Sequence, residues 1–360
     1  MKQGETNVPD LGDLLKVAAC SAVILQTILG FAVHTSLSVG QQAWVIAWYD
    51  LMKFSAPAFI FAILFSTMRT TSSGPLGVNY LPYLQKQWSL LFLPTALWSA
   101  VYLILMPSLQ SHHPYHNLTS FNWQFVTGNG APHLWYSTMM LQFIVLMPVF
   151  VWLTRWLTGS PRRQGVVLTV SAVGYVWWIA LYTMFVFNGP AANRWYLMDR
   201  LLPSFFIYGL LGILTWLNYE RVLSVLMKRW WVLLIPALWG WLCANTELHS
   251  FGATVSFENA PYLKPSMLMY SVSVIGLLCA LGGWLLLKTP RVMRVIHRLA
   301  VYAYQAFLGH VFWVALLWWI ESRLGWQGLL GLRVGVTYLV SWVVSFGSVV
   351  AWREVGNHQK

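Results

Sequence analysis

Charged residues are scarce in this sequence. Of its 360 residues only 9% are charged, whereas a soluble domain carries roughly 25%. Hydrophobic residues make up 58% of the chain, and they occur in long uninterrupted runs. This balance excludes an ordinary water-soluble domain and predicts an all-α polytopic membrane protein.

Acidic residues are the scarcer of the two charges. The chain has 10 Asp and Glu against 22 Lys and Arg, which gives a formal net charge of +12. A basic balance of this size can indicate nucleic-acid binding. Here the basic residues occur in short loops between apolar runs and form no continuous stripe, which is typical of membrane topology signals. We therefore predict a lipid bilayer as partner and no nucleic acid.

Cysteine is rare, and no CxxC pair is present. All three cysteines lie within or at the edge of apolar runs: Cys20, Cys243 and Cys279. This placement argues against a disulfide framework and a zinc site and favours small buried residues. His112, His113 and His116 form an HHxxH pattern on a proline-containing loop, which lacks the fixed helical spacing of a metal site. We predict a solvated loop there and no bound metal.

Ten apolar runs are each long enough to form a membrane helix, and we predict one domain spanning residues 1–360. The runs cover about residues 14–34, 43–68, 88–106, 133–157, 165–187, 201–217, 229–243, 265–287, 299–320 and 328–352, with ends accurate to a few residues. No clear small-residue cleavage site accompanies the first run. We therefore expect a retained first helix and not a removed signal peptide.

The basic residues divide unequally between alternate loops. Sixteen of the 22 Lys and Arg residues fall on the N-terminal side and four on the opposite side, while Lys53 and Arg333 lie inside helices. Cytoplasmic loops carry the excess of Lys and Arg. The division predicts that both termini are cytoplasmic and that the histidine-rich loop lies outside.

Two histidines occupy unusual positions. In residues 131–148, APHLWYSTMMLQFIVLMP, His133 stands at the start of an unbroken apolar run and is expected at a membrane surface. His310 follows cytoplasmic Arg298 by about 12 residues, which is ~18 Å of helix and near mid-depth. A polar ring there is costly. The position of His310 is consistent either with a hydrogen bond to a carbonyl of a neighbouring helix or with a role in catalysis.

Three charged residues inside helices have a structural interpretation. Asp50 and Lys53 are three residues apart at the outer end of the second helix, where they are expected to form an ion pair. Arg333 stands between Gly331 and Gly335, so we expect close helix packing at the glycines and a guanidinium that reaches outward.

Four segments together resemble the integral-membrane acyltransferase family 3, which includes surface-polysaccharide O-acetyltransferases and intercellular-adhesin-type proteins. They occur in the family's order on a ten-helix layout: DLLKVAACSAVIL at 13–25, FSAPAFIFAILF at 54–65, HLWYSTMMLQFIVLMP at 133–148 and VYAYQAFLGHVFW at 301–313. The resemblance implies transfer of an acyl group, acetyl above all, from cytoplasmic acyl-CoA to a hydroxyl of an extracytoplasmic cell-envelope glycan. It also implies a multi-pass protein of a bacterial cytoplasmic membrane, with acyl-CoA as donor substrate and no bound cofactor.

The sequence departs from the family's pattern in the first helix. The family carries a basic residue, ten further residues and then a histidine regarded as catalytic, and counting from Lys16 that position is Thr27, with Gln26 beside it. His34 lies two turns further along the same face, which displaces it ~10 Å outward. The basic cluster that opens the family's third helix is reduced to Lys86.

The resemblance assigns roles to several residues. Basic groups at the inner mouth, Lys16, Arg69 and Lys86, would bind the donor's phosphates, although each is also an ordinary topology anchor. His310 would act as the base and His133 would receive the acceptor, since neutral histidine accepts protons near pH 7. We assign substrate binding on the outer side to residues Asp50, Lys53 and His34.

Two other functions stay open at this point. The missing first-helix histidine favours a catalytically degenerate relative that exports or flips a surface glycan or lipid. A scaffold for envelope assembly is the third interpretation.

Overall fold

The computed structural model describes residues 8–72, 80–111, 114–188, 195–249, 262–325 and 329–358. Within these ranges all regular structure is helical, which confirms the predicted fold class. The α-helices are α1 (Leu11–Val33), α2 (Val39–Leu51), α3 (Ser55–Ser72), α4 (Tyr80–Gln87), α5 (Leu93–Leu105), α6 (Leu118–Thr127), α7 (Leu134–Val145), α8 (Met147–Leu157), α9 (Pro161–Tyr182), α10 (Phe206–Leu217), α11 (Tyr219–Arg229), α12 (Leu234–His249), α13 (Pro265–Lys288), α14 (Pro290–Arg323) and α15 (Leu330–His358).

Eight helical segments of the described ranges are long and apolar enough to cross a bilayer, or nine if α7 and α8 form one bent span. The sixth predicted run corresponds to α10, which has only 12 residues. A helix of that length covers ~18 Å, which is less than the ~30 Å of a hydrocarbon core. The count of ten spans and the cytoplasmic placement of the termini therefore stay predictions.

The run that begins at His133 is not the single unbroken helix that the sequence predicts. It bends by 57° between α7 and α8. Pro148 is the physical reason, because it has no N–H to donate to the carbonyl of Ile144 four residues earlier. The hydroxyl of Tyr83 donates to this carbonyl instead, at 3.3 Å.

Helix α1 lies at the centre of the bundle and packs against α3, α14 and α15. It begins with a capping box, in which Asp10 and Asp13 each accept the other's backbone N–H. Gly12 permits the close approach to α3, since a Cβ there would clash with the Ser66 hydroxyl. Small residues at such contacts let membrane helices approach closely.

Arg333 does not reach outward. It is buried between α14 and α15, where its Nε lies 3.1 Å from a Glu321 carboxylate oxygen and its guanidinium stacks 3.7 Å from the Trp318 ring centroid. A Cβ added at Gly331 or Gly335 would meet no atom of the described chain within 4 Å, so these glycines make no close helix contact. Both expectations were wrong. The arginine stays inside the bundle because a carboxylate on the neighbouring helix pairs with it.

Candidate functional site

A cavity of about 770 Å³ lies beside α1, the start of α3, the start of α7 and the segment 108–111. Its wall on α1 extends from His34, which is exposed at the helix end, to Val23 in the helix interior. This is ~16 Å of helix axis. The volume lies within the roughly 300–1,000 Å³ of small-molecule sites. Under the predicted topology the mouth faces outside, and the cavity leads towards the middle of the bundle.

Thr27 lies in this cavity wall and is hydrogen-bonded to His310. Thr27 Oγ1 and His310 Nε2 are 2.9 Å apart, which joins α1 to α14. His310 Nδ1 lies 2.5 Å from the carbonyl oxygen of Phe307. A carbonyl oxygen only accepts, so Nδ1 carries a proton, and in the neutral imidazole Nε2 is then the acceptor. The hydroxyl of Thr27 therefore donates to an unprotonated ring nitrogen, which is the arrangement of a nucleophile and a general base.

The two histidines singled out from the sequence meet in the structure. The rings of His133 and His310 contact each other edge to face, with centroids 4.9 Å apart. His133 is only 5% exposed, so its ring is packed inside the bundle, and its expected depth at a membrane surface stays a prediction. The turn before α7 brings its side chain into the bundle and against α14.

Tyr102 on α5 lies at the contact between His133 and α14. Its hydroxyl accepts from the backbone N–H of Phe312 at 3.1 Å and donates to the carbonyl of Leu308 at 2.8 Å. The Nε2–H of His133 donates to the same carbonyl at 3.2 Å. The other ring nitrogen, Nδ1, is then a buried acceptor that has no hydrogen-bond partner in the described chain. Because His133 lines the cavity, this nitrogen is suited to accept from a ligand hydroxyl.

A second polar group lines the cavity next to Thr27. Ser55 Oγ and Tyr262 Oη lie 3.1 Å apart, and both reach the amide oxygen of Gln26 at 3.4 Å. The Gln26 amide nitrogen is buried and has no hydrogen-bond partner among the described residues. Gln26 thus has two N–H donors without a partner in the same cavity wall as Thr27.

Tyr262 and Tyr102 were not predicted from the sequence. Tyr262 belongs to the segment before α13, which the sequence indicates only as an outer loop. Tyr102 lies in an apolar helix where an aromatic residue normally indicates packing. No local signal distinguishes either residue, because their partners are on helices remote in the chain.

The expected ion pair between Asp50 and Lys53 does not form. No salt bridge within 4.0 Å joins the two side chains, both of which the structure describes. The Lys53 ammonium lies instead over the Tyr262 ring, 4.5 Å from its centroid, and 5.3 Å from that of Tyr49. Helix α2 ends at Leu51, between the two charged residues, so the regular three-residue spacing is lost.

The three residues assigned to substrate binding are placed differently. His34 lines the mouth of the cavity, whereas Asp50 and Lys53 stand behind its wall. Between Lys53 and the cavity stand the rings of Tyr262 and Tyr49, both of which line it. A role in substrate binding stays a prediction for all three.

Two of the three residues assigned to the donor lie together at the opposite end of α1. Lys16 Nζ donates to Ser66 Oγ at 3.2 Å, and Arg69 pairs with Asp10 at 2.9 Å. His297 of α14 joins this cluster through Asp13 at 2.8 Å. The cluster couples α1, α3 and α14 where the predicted topology places the cytoplasm. It is separated from the cavity, whose lining residues include neither Lys16 nor Arg69.

Lys86 lies on a different part of the bundle. It belongs to α4, which Tyr80 and Tyr83 fasten to the end of α7 by donating to the carbonyls of Val145 and Ile144. Donor binding by Lys86 therefore stays a prediction separate from that for Lys16 and Arg69.

The metal prediction was made mainly about residues that are outside the described ranges. His112 and His113 fall there, whereas His116 is described and exposed. In the described part of the chain, no group of three His, Cys, Asp or Glu residues is close enough to hold a metal ion.

Comparison with known proteins agrees with the resemblance in the sequence. The family model of acyltransferase family 3, described as an acyltransferase domain, matches residues 13–352. No curated protein and no solved structure matches the chain significantly. The family match covers nearly the whole chain, and the apolar helices make it a multi-pass membrane protein. The chain therefore belongs to the membrane acyltransferases of family 3.

Proposed function

We propose that the protein transfers an acyl group, acetyl in the first place, from cytoplasmic acyl-CoA to a hydroxyl of an extracytoplasmic cell-envelope glycan. The observation that carries the proposal is the Thr27–His310 hydrogen bond in the wall of the cavity. It provides a neutral imidazole, held in one tautomer, at the depth where an inner donor and an outer acceptor can meet.

The same contact explains how activity is retained without a histidine on α1. Thr27 occupies the position at which the family's histidine is expected, and the His310 ring of α14 reaches that position at 2.9 Å. An imidazole is thus present at this point of the bundle, supplied by another helix. This supports an active enzyme over a degenerate relative that only exports or flips a glycan.

The cavity supports an acceptor that enters from outside. Its mouth is bordered by exposed His34 and Ser108, and its inner wall presents polar groups from Gln26, Ser55 and His133. A saccharide offers several hydroxyls to such a wall. The unpartnered Nδ1 of His133 is suited to accept a hydrogen bond from one of them and so to orient it towards Thr27 and His310.

The donor is proposed to bind from the opposite side, where Lys16 and Arg69 lie. Basic side chains at that end suit the phosphates of a coenzyme A, and its uncharged arm would carry the thioester along α1 into the bundle. From Lys16 to Thr27 the helix rises ~16 Å. We also propose that the membrane is a bacterial cytoplasmic membrane, because the proposed acceptor is a cell-envelope glycan outside it.

The proposal is tested by comparing the acyl content of the envelope glycan in cells with and without this gene. We expect O-linked acyl groups to be lost on deletion and restored by the unaltered gene. Expression of the His310→Gln variant at matched levels should not restore them. If the acyl content is unchanged by deletion while the amount of surface glycan falls, the export function replaces the enzymatic one.

A further inference from the structure

We propose that Thr27 is itself acylated in each reaction cycle, so that the acyl group passes from donor to Thr27 and then from Thr27 to the acceptor. This inference rests on the proposed acyltransferase function. It adds a covalent intermediate and names the nucleophile.

The first observation is which hydroxyl the base activates. His310 Nε2 has one lone pair in the ring plane, and the Thr27 hydroxyl at 2.9 Å already donates to it. His310 is 0% exposed, whereas Thr27 lines the cavity and is half-buried. A ligand that enters the cavity therefore meets the oxygen of Thr27 before it meets the ring. The first hydroxyl that this histidine deprotonates is therefore that of Thr27.

The second observation is that the base is held by a third group. The Phe307 carbonyl accepts from His310 Nδ1–H, which fixes the tautomer and the ring orientation. A nucleophile bonded to a base, with the base oriented by another acceptor, is the general pattern of covalent catalysis. Here a backbone carbonyl of α14 takes the orienting position.

The third observation is a free donor beside the nucleophile. The Gln26 amide oxygen is engaged by Ser55 and Tyr262, and its buried nitrogen has no partner among the described residues. Gln26 precedes Thr27 on α1 and lines the same cavity. An unpaired N–H group in this position is suited to stabilise the negative charge that develops on the carbonyl oxygen during acyl transfer.

The proposed reaction has two balanced halves. In the first, Thr27 Oγ1 gives its proton to His310 Nε2 and bonds to the thioester carbonyl carbon, the C–S bond breaks, and the imidazolium protonates the departing thiolate. In the second, the acceptor hydroxyl gives its proton to Nε2 and attacks the ester of Thr27. The bond from the carbonyl carbon to Oγ1 then breaks, and Oγ1 regains the proton. No electrons are exchanged with any other group.

The test uses the purified full-length protein and acetyl-CoA carrying a radioactive acetyl group, with no acceptor added. After a rapid acid quench, we expect label on the protein, in the peptide that contains Thr27. Thr27→Val removes only the hydroxyl and should abolish the label. Thr27→Ser retains a hydroxyl and should still be labelled.

Thr154→Val is the matched control. Thr154 on α8 is a buried threonine whose hydroxyl donates to the Phe150 carbonyl at 2.7 Å, and it does not line the cavity. This variant should be labelled like the unaltered protein. Size-exclusion elution and thermal unfolding of each variant show whether it is folded.

The outcomes separate the inference from the function on which it rests. If the unaltered protein neither uses acetyl-CoA nor acylates glycan, the proposed function fails. If it acylates glycan but carries no acetyl group on Thr27 after the quench, or if Thr27→Val acylates at the full rate, the covalent intermediate is refuted and the function stands. Label on His310 instead of Thr27 also refutes it.

Discussion

The replacement His310→Gln tests the base directly. A glutamine side chain places its amide oxygen near the position of Nε2, so it can still accept the hydrogen bond that Thr27 donates at 2.9 Å. It cannot take up the proton, since an amide is not a base near neutral pH. The variant therefore separates the hydrogen bond that joins α1 to α14 from proton transfer.

The expected magnitudes differ clearly for activity and stability. Loss of general-base assistance lowers the rate by ~10²- to 10⁴-fold. The structural loss is the bond from Nδ1 to the Phe307 carbonyl, and a net hydrogen bond contributes only about 0.5–1.5 kcal/mol. The protein should thus remain folded in the membrane while glycan acylation falls by at least two orders of magnitude.

The assay compares initial rates of acyl transfer at equal amounts of folded protein, as measured by fluorescence-detected size exclusion. His116→Ala is the control, because His116 is an exposed histidine that does not line the cavity. It should retain most of the activity. Full activity of His310→Gln would refute the reasoning and leave the histidine as a packing hydrogen bond.

Three further predictions concern topology, donor binding and the buried ion pair. A cysteine at Ser111 should react with a membrane-impermeant reagent in intact cells and one at Ser160 should not; the reverse result would invert the orientation. Lys16→Ala should raise the KM for acyl-CoA more than Arg162→Ala, and equal effects would reduce Lys16 to a topology signal. Glu321→Gln leaves the guanidinium that it pairs with at 3.1 Å uncompensated. Removal of one partner typically costs ~3–5 kcal/mol, so thermal unfolding should shift to clearly lower temperature, and an unchanged midpoint would contradict this account.

Composition and hydrophobic runs were enough to predict the fold class. A chain with 9% charged residues cannot cover its surface with polar groups, and in lipid only helices satisfy every backbone group within one segment. The prediction of one unbroken helix from Leu134 was wrong, because Pro148 removes a backbone donor and the helix bends by 57°. The four family-like segments indicated the acyltransferase family, which the match over residues 13–352 confirms.

Individual charged residues were harder to interpret. Spacing along one helix predicted that Asp50 pairs with Lys53, but the lysine lies over the ring of Tyr262, which is remote in sequence. For Arg333 the deciding partner, Glu321, is on the preceding helix. Spacing describes only neighbours on the same helix, whereas a buried charge is satisfied by whichever polar or aromatic group the bundle brings to it.

The sequence by itself determined a helical membrane protein of an acyltransferase family, and it predicts His310 near mid-depth because helix rise converts residue number into depth. Only the tertiary structure decided that His310 meets Thr27, 283 residues away in the chain, and that His133 folds in beside it. Hydrophobic periodicity shows that a helix has an apolar face but does not show which helix covers it. The packing of α14 against α1 brought an imidazole to the position where the first helix has none.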